Sequence, residues 1–234
     1  MSKESNIVKL VSYSKPTLEY LTEGMSNDNL LDLVAFCARV SNPSNQMNTE
    51  TSEKLVKYLI KHQHWSPLEM VNACMEINTT RDIAHQIVRH RSFAFQEFSQ
   101  RYADPNDQGD LFEYSEARLQ DEKNRQNSIT TEDKKLQQEW LWAQMRIAHL
   151  AKKEYDWAIK KGIAKEQARK VLPEGLTKTR LYMNGTLRSW IHYIELRGAN
   201  GTQKEHMEIA HACAEVIAKV FPLAKELNVW KKNS

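Results

Sequence analysis

Residues 89–102 run Arg89-His90-Arg91-Ser92-Phe93-Ala94-Phe95-Gln96-Glu97-Phe98-Ser99-Gln100-Arg101-Tyr102, which sets three arginines, a histidine and a glutamate among aromatic side chains. The planar guanidinium fork gives bidentate, charge-assisted hydrogen bonds, so several arginines in one short stretch suit a multiply anionic ligand. The chain holds seven glycines, and none forms a G-x-G-x-x-G or G-x-x-x-x-G-K-[ST] loop whose backbone N–H groups cradle phosphates. Any nucleotide bound here must be gripped mainly by side chains. Gln86 and Arg89 fall on one helix face, while Ser99 and Arg101 follow at alternate positions, so one ligand is within reach of both elements. The same run also reads as solvated charge, or as a nucleic-acid patch with Phe93, Phe95 and Tyr102 as stacking platforms.

The flanking periodicities show what must hold these groups. Residues 28–41 read as a helix with polar capping residues ahead of an apolar face, and 51–62 as a second that must end before Pro67. Residues 68–79 alternate Val71, Ala73, Met75 and Ile77 with Asn72, Cys74, Glu76 and Asn78, the period of a strand. A helix then opens at Thr80-Arg81-Asp82 and runs to about Arg91, with Ile83, Ala84, Ile87 and Val88 on one face and His85, Gln86, Arg89 and His90 opposite. Arg91 projects beside the apolar set, where a charge requires an anionic partner. The segment from Ser92 starts extended, and residues 103–128, rich in Asp, Asn, Gln and Gly, read as a long loop.

Residues 130–161 read as a long helix with Leu136, Trp140, Ile147, Leu150, Tyr155 and Ile159 in an apolar stripe, ended by Gly162. Its Trp140, Trp142 and Trp157 suit a core or a subunit interface rather than cofactor stacking. Shorter helices follow at 165–172, 186–197 and 202–220; in the second, Arg188, His192 and Glu195 share the polar side. One clear strand, a few short ones and at least five helices give an α+β class, a central, mostly antiparallel sheet packed with helices, in one domain over residues 1–234.

Composition narrows the function. Hydrophobic residues at 41% and charged residues at 27% in alternating runs argue against disorder. The balance of 33 basic against 30 acidic residues, net +3, argues against a face that coats nucleic acid nonspecifically. Cys37, Cys74 and Cys213 are far apart and form no C-x-x-C, which fits a reducing cytoplasm rather than a disulfide framework or thiolate zinc site. The patch after Met1–Ser5 is too short for a signal segment, and no run approaches the about 18 apolar residues of a membrane helix. His, Cys and Asp assemble at no metal-ligand spacing, so no metal is expected. His64 reads as a ligand neighbour or a polar loop residue, and His62, His85 and His206 as surface or packing histidines.

Arg89-His90-Arg91, seven residues and then Ser99 is similar to the R-H-R-x7-S signature of the flavin-dependent thymidylate synthases, and Gln100-Arg101-Tyr102 also resembles the family pattern. Further blocks match in family order: Cys37-Ala38-Arg39-Val40-Ser41, His62-Gln63-His64-Trp65-Ser66-Pro67-Leu68-Glu69, Ala168-Arg169-Lys170-Val171-Leu172-Pro173, Leu187-Arg188-Ser189-Trp190 and Glu195-Leu196-Arg197. The resemblance covers residues 30 to 222. It implies methylation of dUMP at C5 to dTMP, with carbon from methylenetetrahydrofolate, hydride from FAD recharged by NADPH, and release of tetrahydrofolate. It also implies a homotetramer with sites shared between subunits, acting on neither nucleic acid nor membrane.

By that resemblance Arg89, His90 and Arg91 contact FAD together with Ser66, Glu97, Thr186, Arg188 and His192. The dUMP positions are Gln86, Arg89, Glu97, Phe98, Ser99, Gln100, Arg101, Arg169 and Arg197, with Ser99 and Arg101 at the phosphate. Arg197 takes the activating role, favouring the N3-ionised uracil and so a more nucleophilic C5. No cysteine nucleophile is implied: the three cysteines read as structural, and Ser99 as a hydrogen-bonding group. The chain departs from the family at Ala94 (serine is frequent), at Gln96 and Thr186 (asparagine is frequent), and in 198–202, which lacks a histidine that some members carry. A nucleic-acid-binding protein and a nucleotide binder without turnover are the competing readings.

Overall fold

The computed structural model describes residues 7–25 and 30–225, so Met1–Ser5 and the polar residues just ahead of Leu30 lie outside the described residues. The alternation after Val71 builds β2 (Asn72–Thr80), in which Ala73, Met75 and Ile77 point into the core and the intervening residues point out. It pairs antiparallel with β1 (Val8–Tyr13) on one side and β6 (Lys178–Thr186) on the other, and β3 (Phe93–Glu97) adds to the far edge of β6. The sheet order is β1-β2-β6-β3. The β2–β6 register runs from Asn72↔Thr186 to Thr80↔Lys178, so Leu181 and Met183 join Met75 and Ile77 on one buried face.

That face is covered by α4 (Arg81–Ile87), α7 (Leu187–Arg197) and α8 (Lys204–Ile217). Trp190 is fully buried and its indole N–H donates to Ala73 O at 3.0 Å, which ties α7 to β2. The opposite face carries Glu76, Asn78, Arg180 and Tyr182, joined by polar contacts, so among the described residues helices cover one side of the sheet. Beyond them α2 (Leu30–Ala38) packs on α3 (Ser52–Lys61), and α1 (Leu18–Thr22) is a short turn. The α+β class and antiparallel sheet match expectation.

Four local expectations need correction. The helix at Arg81 ends at Ile87, and residues 88–92 turn the chain back, because β3 must leave α4 to reach the edge of β6. Arg91 is therefore exposed rather than set beside an apolar helix face. The 103–128 stretch is not one loop: it holds a 3-10 turn (Pro105–Gln108) and β4 (Arg118–Gln120), which pairs with β5 (Ser128–Thr130). Finally β6, the longest partner of β2, was not expected, because Thr179 and Gly185 occupy apolar-phase positions and blunt its alternation.

The long helix α5 (Lys134–Lys160) is capped by Asp133, whose carboxylate accepts from Lys135 N–H and Leu136 N–H, and Gly162 with φ of 77° follows its end. It does not join the sheet core. Tyr155 and Ala158 form a separate small cluster with Ala168 of α6 (Lys165–Ala168), and Gln144 is bonded to the backbone of Ser115. Trp140, Trp142, Met145, Ile147, Leu150 and Trp157 are exposed, so of the two expected settings for these tryptophans the core is excluded within one chain. No helix among the described residues is long and apolar enough to cross a membrane.

Candidate active site

The candidate side chains fall into three groups, carried mainly by the 66–69 turn and α7, by α4 with α7 and α8, and by β3 and the loop that follows it. In the first, Arg188 and His192 lie one turn apart on α7, with Glu195 on the same side. Together with Trp65, Glu69 and Ser92 they line a groove of about 380 Å³. Ser66 is exposed in the turn that carries Trp65 and Glu69. Arg188 donates to Glu69 at 2.6 Å, a partner not anticipated for it. Thr186, one of the departures, accepts from Ser189 N–H at 3.1 Å and caps α7. Burial raises the Glu195 carboxyl above its ordinary value, against the opposing pull of His192.

The second group surrounds Arg197. Its Nε donates to His90 Nε2 at 2.9 Å, so His90 serves as an acceptor and carries its own proton on Nδ1. Burial, then Arg197 and His192, depress His90 to about 4. The imidazole packs edge-on against Tyr193 at 4.9 Å between centroids. Tyr193 OH lies 3.1 Å from His206 Nε2, and His206 Nδ1 lies 3.3 Å from Gln86 Oε1. Gln86 Nε2 donates to Gln203 Oε1 at 2.8 Å. His206 is fully buried and depressed to about 3 by burial, then by Arg197 and His90, so its packing role is of an interior kind. His62 and His85 are exposed, the latter paired with Glu174. Tyr193, Gln203 and this use of His206 had no signal in the sequence, since the helix wheel of α8 shows only a histidine on an apolar side.

The third group follows β3. Glu97 is held by Arg81 at 3.2 Å and by Thr179 Oγ1 at 2.9 Å, and Phe98 N–H donates to Arg180 O at 2.9 Å. Ser99 Oγ accepts from Arg101 N–H at a long 3.4 Å, and Arg101 lies 3.8 Å from Glu166, three residues before Arg169. Gln100 is buried and its Nε2 has no partner among the described residues, a cost that a bound acceptor would remove. Arg89, Arg91 and Arg169 likewise have no side-chain partner among the described residues. Their charge is available to an anion. Phe93 and Phe95 pack on the main core, with Phe93 4.8 Å from Trp190, so they are not free stacking platforms. Ala94 and Gln96 are exposed on the other side of β3.

The cysteines take no part. Burial raises the Cys37, Cys74 and Cys213 thiols, and Cys213 is completely buried, so none is poised as a thiolate. Among the described residues no cluster of His, Cys, Asp or Glu is arranged to hold a metal ion.

Comparisons with known proteins agree with this picture. A family model described as thymidylate synthase complementing protein matches residues 24–223. The chain is similar to a probable flavin-dependent thymidylate synthase of Paramecium bursaria Chlorella virus 1, 48% identical over 94% of this chain and 98% of that one. It is also similar to the flavin-dependent thymidylate synthase of a Synechocystis strain, 45% identical over 95% and 99%. The structure overlays on a UMP/dUMP methylase from Streptomyces cacaoi with a TM-score of 0.75 at 24% identity, over 94% of this chain and 93% of that chain, a likeness of fold. With nearly its whole length matched and the arginine motif, its flanking blocks and the sheet that carries them all in place, the chain belongs to the family of flavin-dependent thymidylate synthases.

Proposed function

We propose that the chain methylates dUMP at C5 to dTMP, with methylenetetrahydrofolate as carbon donor and FAD, reduced by NADPH, as the source of hydride. The observation that carries this reading is the Arg197–His90 pair at 2.9 Å, to which Gln86 is joined through His206 and Tyr193. His90 engages the guanidinium through Nε without adding a charge, so the Nη groups of Arg197 keep their full cationic character for a base.

In this reading Arg197 faces the uracil and stabilises negative charge at N3 and its neighbouring carbonyl, which raises electron density at C5. Ser99, Arg101 and Arg169 hold the 5′-phosphate, with Arg101 exchanging its 3.8 Å contact to Glu166 for the ligand. Glu97, fixed by Arg81 and Thr179, shapes the turn into that loop, and Phe98 and Gln100 complete its lining. The residues present suit a flavin: Arg89 and Arg91 offer a pyrophosphate cations that have no partner among the described residues, Arg188 and His192 line the groove, Ser66 follows its lining residue Trp65 in the chain, and Thr186 caps the helix that carries Arg188 and His192. When bound there, FAD supplies the reducing equivalent for the new methyl group. No thiol attacks C6, consistent with the raised pKa of all three cysteines.

A groove of about 380 Å³ holds only part of a dinucleotide-sized cofactor. We therefore place the remainder against a second copy of the chain, in a homotetramer whose sites are shared, and treat residues 1–234 as one catalytic domain in the cytoplasm. The visible spectrum of purified protein tests the cofactor: an oxidised flavin released on denaturation is expected, and failure to take up added FAD would overturn the reading. Arg197→Ala is expected to retain flavin and lose dTMP formation by about 10²–10³-fold. Undiminished turnover would remove Arg197 from the reaction.

A further inference from the structure

The side chain of Gln86 is locked from both ends, and the lock has a direction. Tyr193 is fully buried, and His206 Nε2 is the acceptor that the described residues offer to its hydroxyl, 3.1 Å away. An unmet buried hydroxyl donor is costly, so Tyr193 O–H donates to Nε2. A neutral imidazole then carries its one proton on Nδ1, which faces Gln86 Oε1 at 3.3 Å. Burial keeps His206 neutral throughout the physiological range. Rotating the Gln86 amide by half a turn would set its NH2 against the Nδ1 proton, donor against donor. The carbonyl of Gln86 is thus held inward, and its NH2 gives one hydrogen to Gln203 Oε1 at 2.8 Å and keeps the second without a partner among the described residues.

We propose that Tyr193 and His206 are positioning residues that fix Gln86 as a hydrogen-bond donor toward the substrate, so that the site selects a pyrimidine with a carbonyl at position 4 over one with an amino group. The proposal rests on the reading that places Gln86 at dUMP. A donor complements the 4-carbonyl of uracil and opposes the 4-amino group of cytosine, while the 2-carbonyl, sugar and phosphate are common to dUMP and dCMP. A site whose polar group is fixed in one sense discriminates more strongly than one whose amide is free to turn.

The test measures equilibrium binding of dUMP and dCMP to the flavin-loaded enzyme by calorimetry, in the wild type and in Tyr193→Phe, Gln86→Glu and Gln86→Ala. Tyr193→Phe leaves the ring of His206 free to move its proton to Nε2 and so frees the amide. It is expected to retain flavin and to lose about tenfold of the preference for dUMP over dCMP. Gln86→Glu, an acceptor in place of the donor, is expected to lower that ratio further. An unchanged ratio in Tyr193→Phe, including equal weakening of both nucleotides as a simple packing defect would give, overturns the inference alone. Wild-type enzyme that binds no dUMP, or Gln86→Ala with unaltered dUMP affinity, overturns the placing of Gln86 at the substrate and the inference with it.

Discussion

His90 and His206 sit at the centre of the candidate site as neutral acceptors and donors, and this has a consequence for stability. Their side chains are depressed to about 4 and about 3, against an ordinary value near 6.5 for an exposed histidine. Between pH 6.5 and about 4 the unfolded chain binds protons that the folded chain refuses, so stability is complete above pH 6.5 and falls as pH falls. The denaturant midpoint is expected to decrease from pH 7 to pH 5, a range above the ordinary titration of the carboxylates. His90→Gln, which keeps an acceptor without a titrating ring, should flatten that slope. A midpoint independent of pH across this window in the wild type would contradict the neutral buried state.

At the scale of elements, β3 and β6 meet in a tight side-chain-to-backbone contact. Phe93 is paired with Gly185, and a Cβ at that position would lie 2.3 Å from the Phe93 ring. The ring cannot yield, because it is wedged edge-on against Trp190 at 4.8 Å and Tyr193 at 5.9 Å. Gly185→Ala is therefore expected to cost about 1–3 kcal/mol, read from the shift in denaturant midpoint. It should also disturb flavin uptake, since Phe93 stands between Arg91 and the turn to Glu97. A variant as stable as the wild type would mean that β3 is less tightly held at the edge than its register indicates.

At the scale of the whole molecule, α5 has two apolar faces. Gln144, Ala148, Ala151, Tyr155 and Ala158 are buried against the chain's own 113–118 segment and α6. Trp140, Ile147, Leu150 and Trp157 form a second row at coiled-coil spacing, with Leu150 still 54% exposed. A row of large side chains left in water on one helix marks a surface for another protein, and the proposed shared site supplies the occupant, a second copy of the chain. Ile147→Glu with Leu150→Glu is expected to reduce the mass seen by light scattering. The same variant should weaken FAD binding if the copies complete one another's groove. A wild-type protein that remains monomeric at micromolar concentration would remove the shared-site reading.

Short-range pattern was legible without coordinates. The alternation of Val71 to Ile77, the turn before Pro67, and the common side of Arg188, His192 and Glu195 follow from strand and helix periods, and the structure keeps each. The arginine motif and its flanking blocks likewise identified the family. Three things were decided only by tertiary structure. β6 escaped because a threonine and a glycine, Thr179 and Gly185, stand in its buried phase, and their burial depends on neighbours far away in sequence. α5 is apolar on two sides, and periodicity does not say which side its own chain covers. The direction of the Gln86 amide depends on His206, 120 residues along the chain, and on a tyrosine of a third element. Local periods are properties of a segment, whereas burial and hydrogen-bond polarity are properties of the surroundings, and those exist only once the chain has folded.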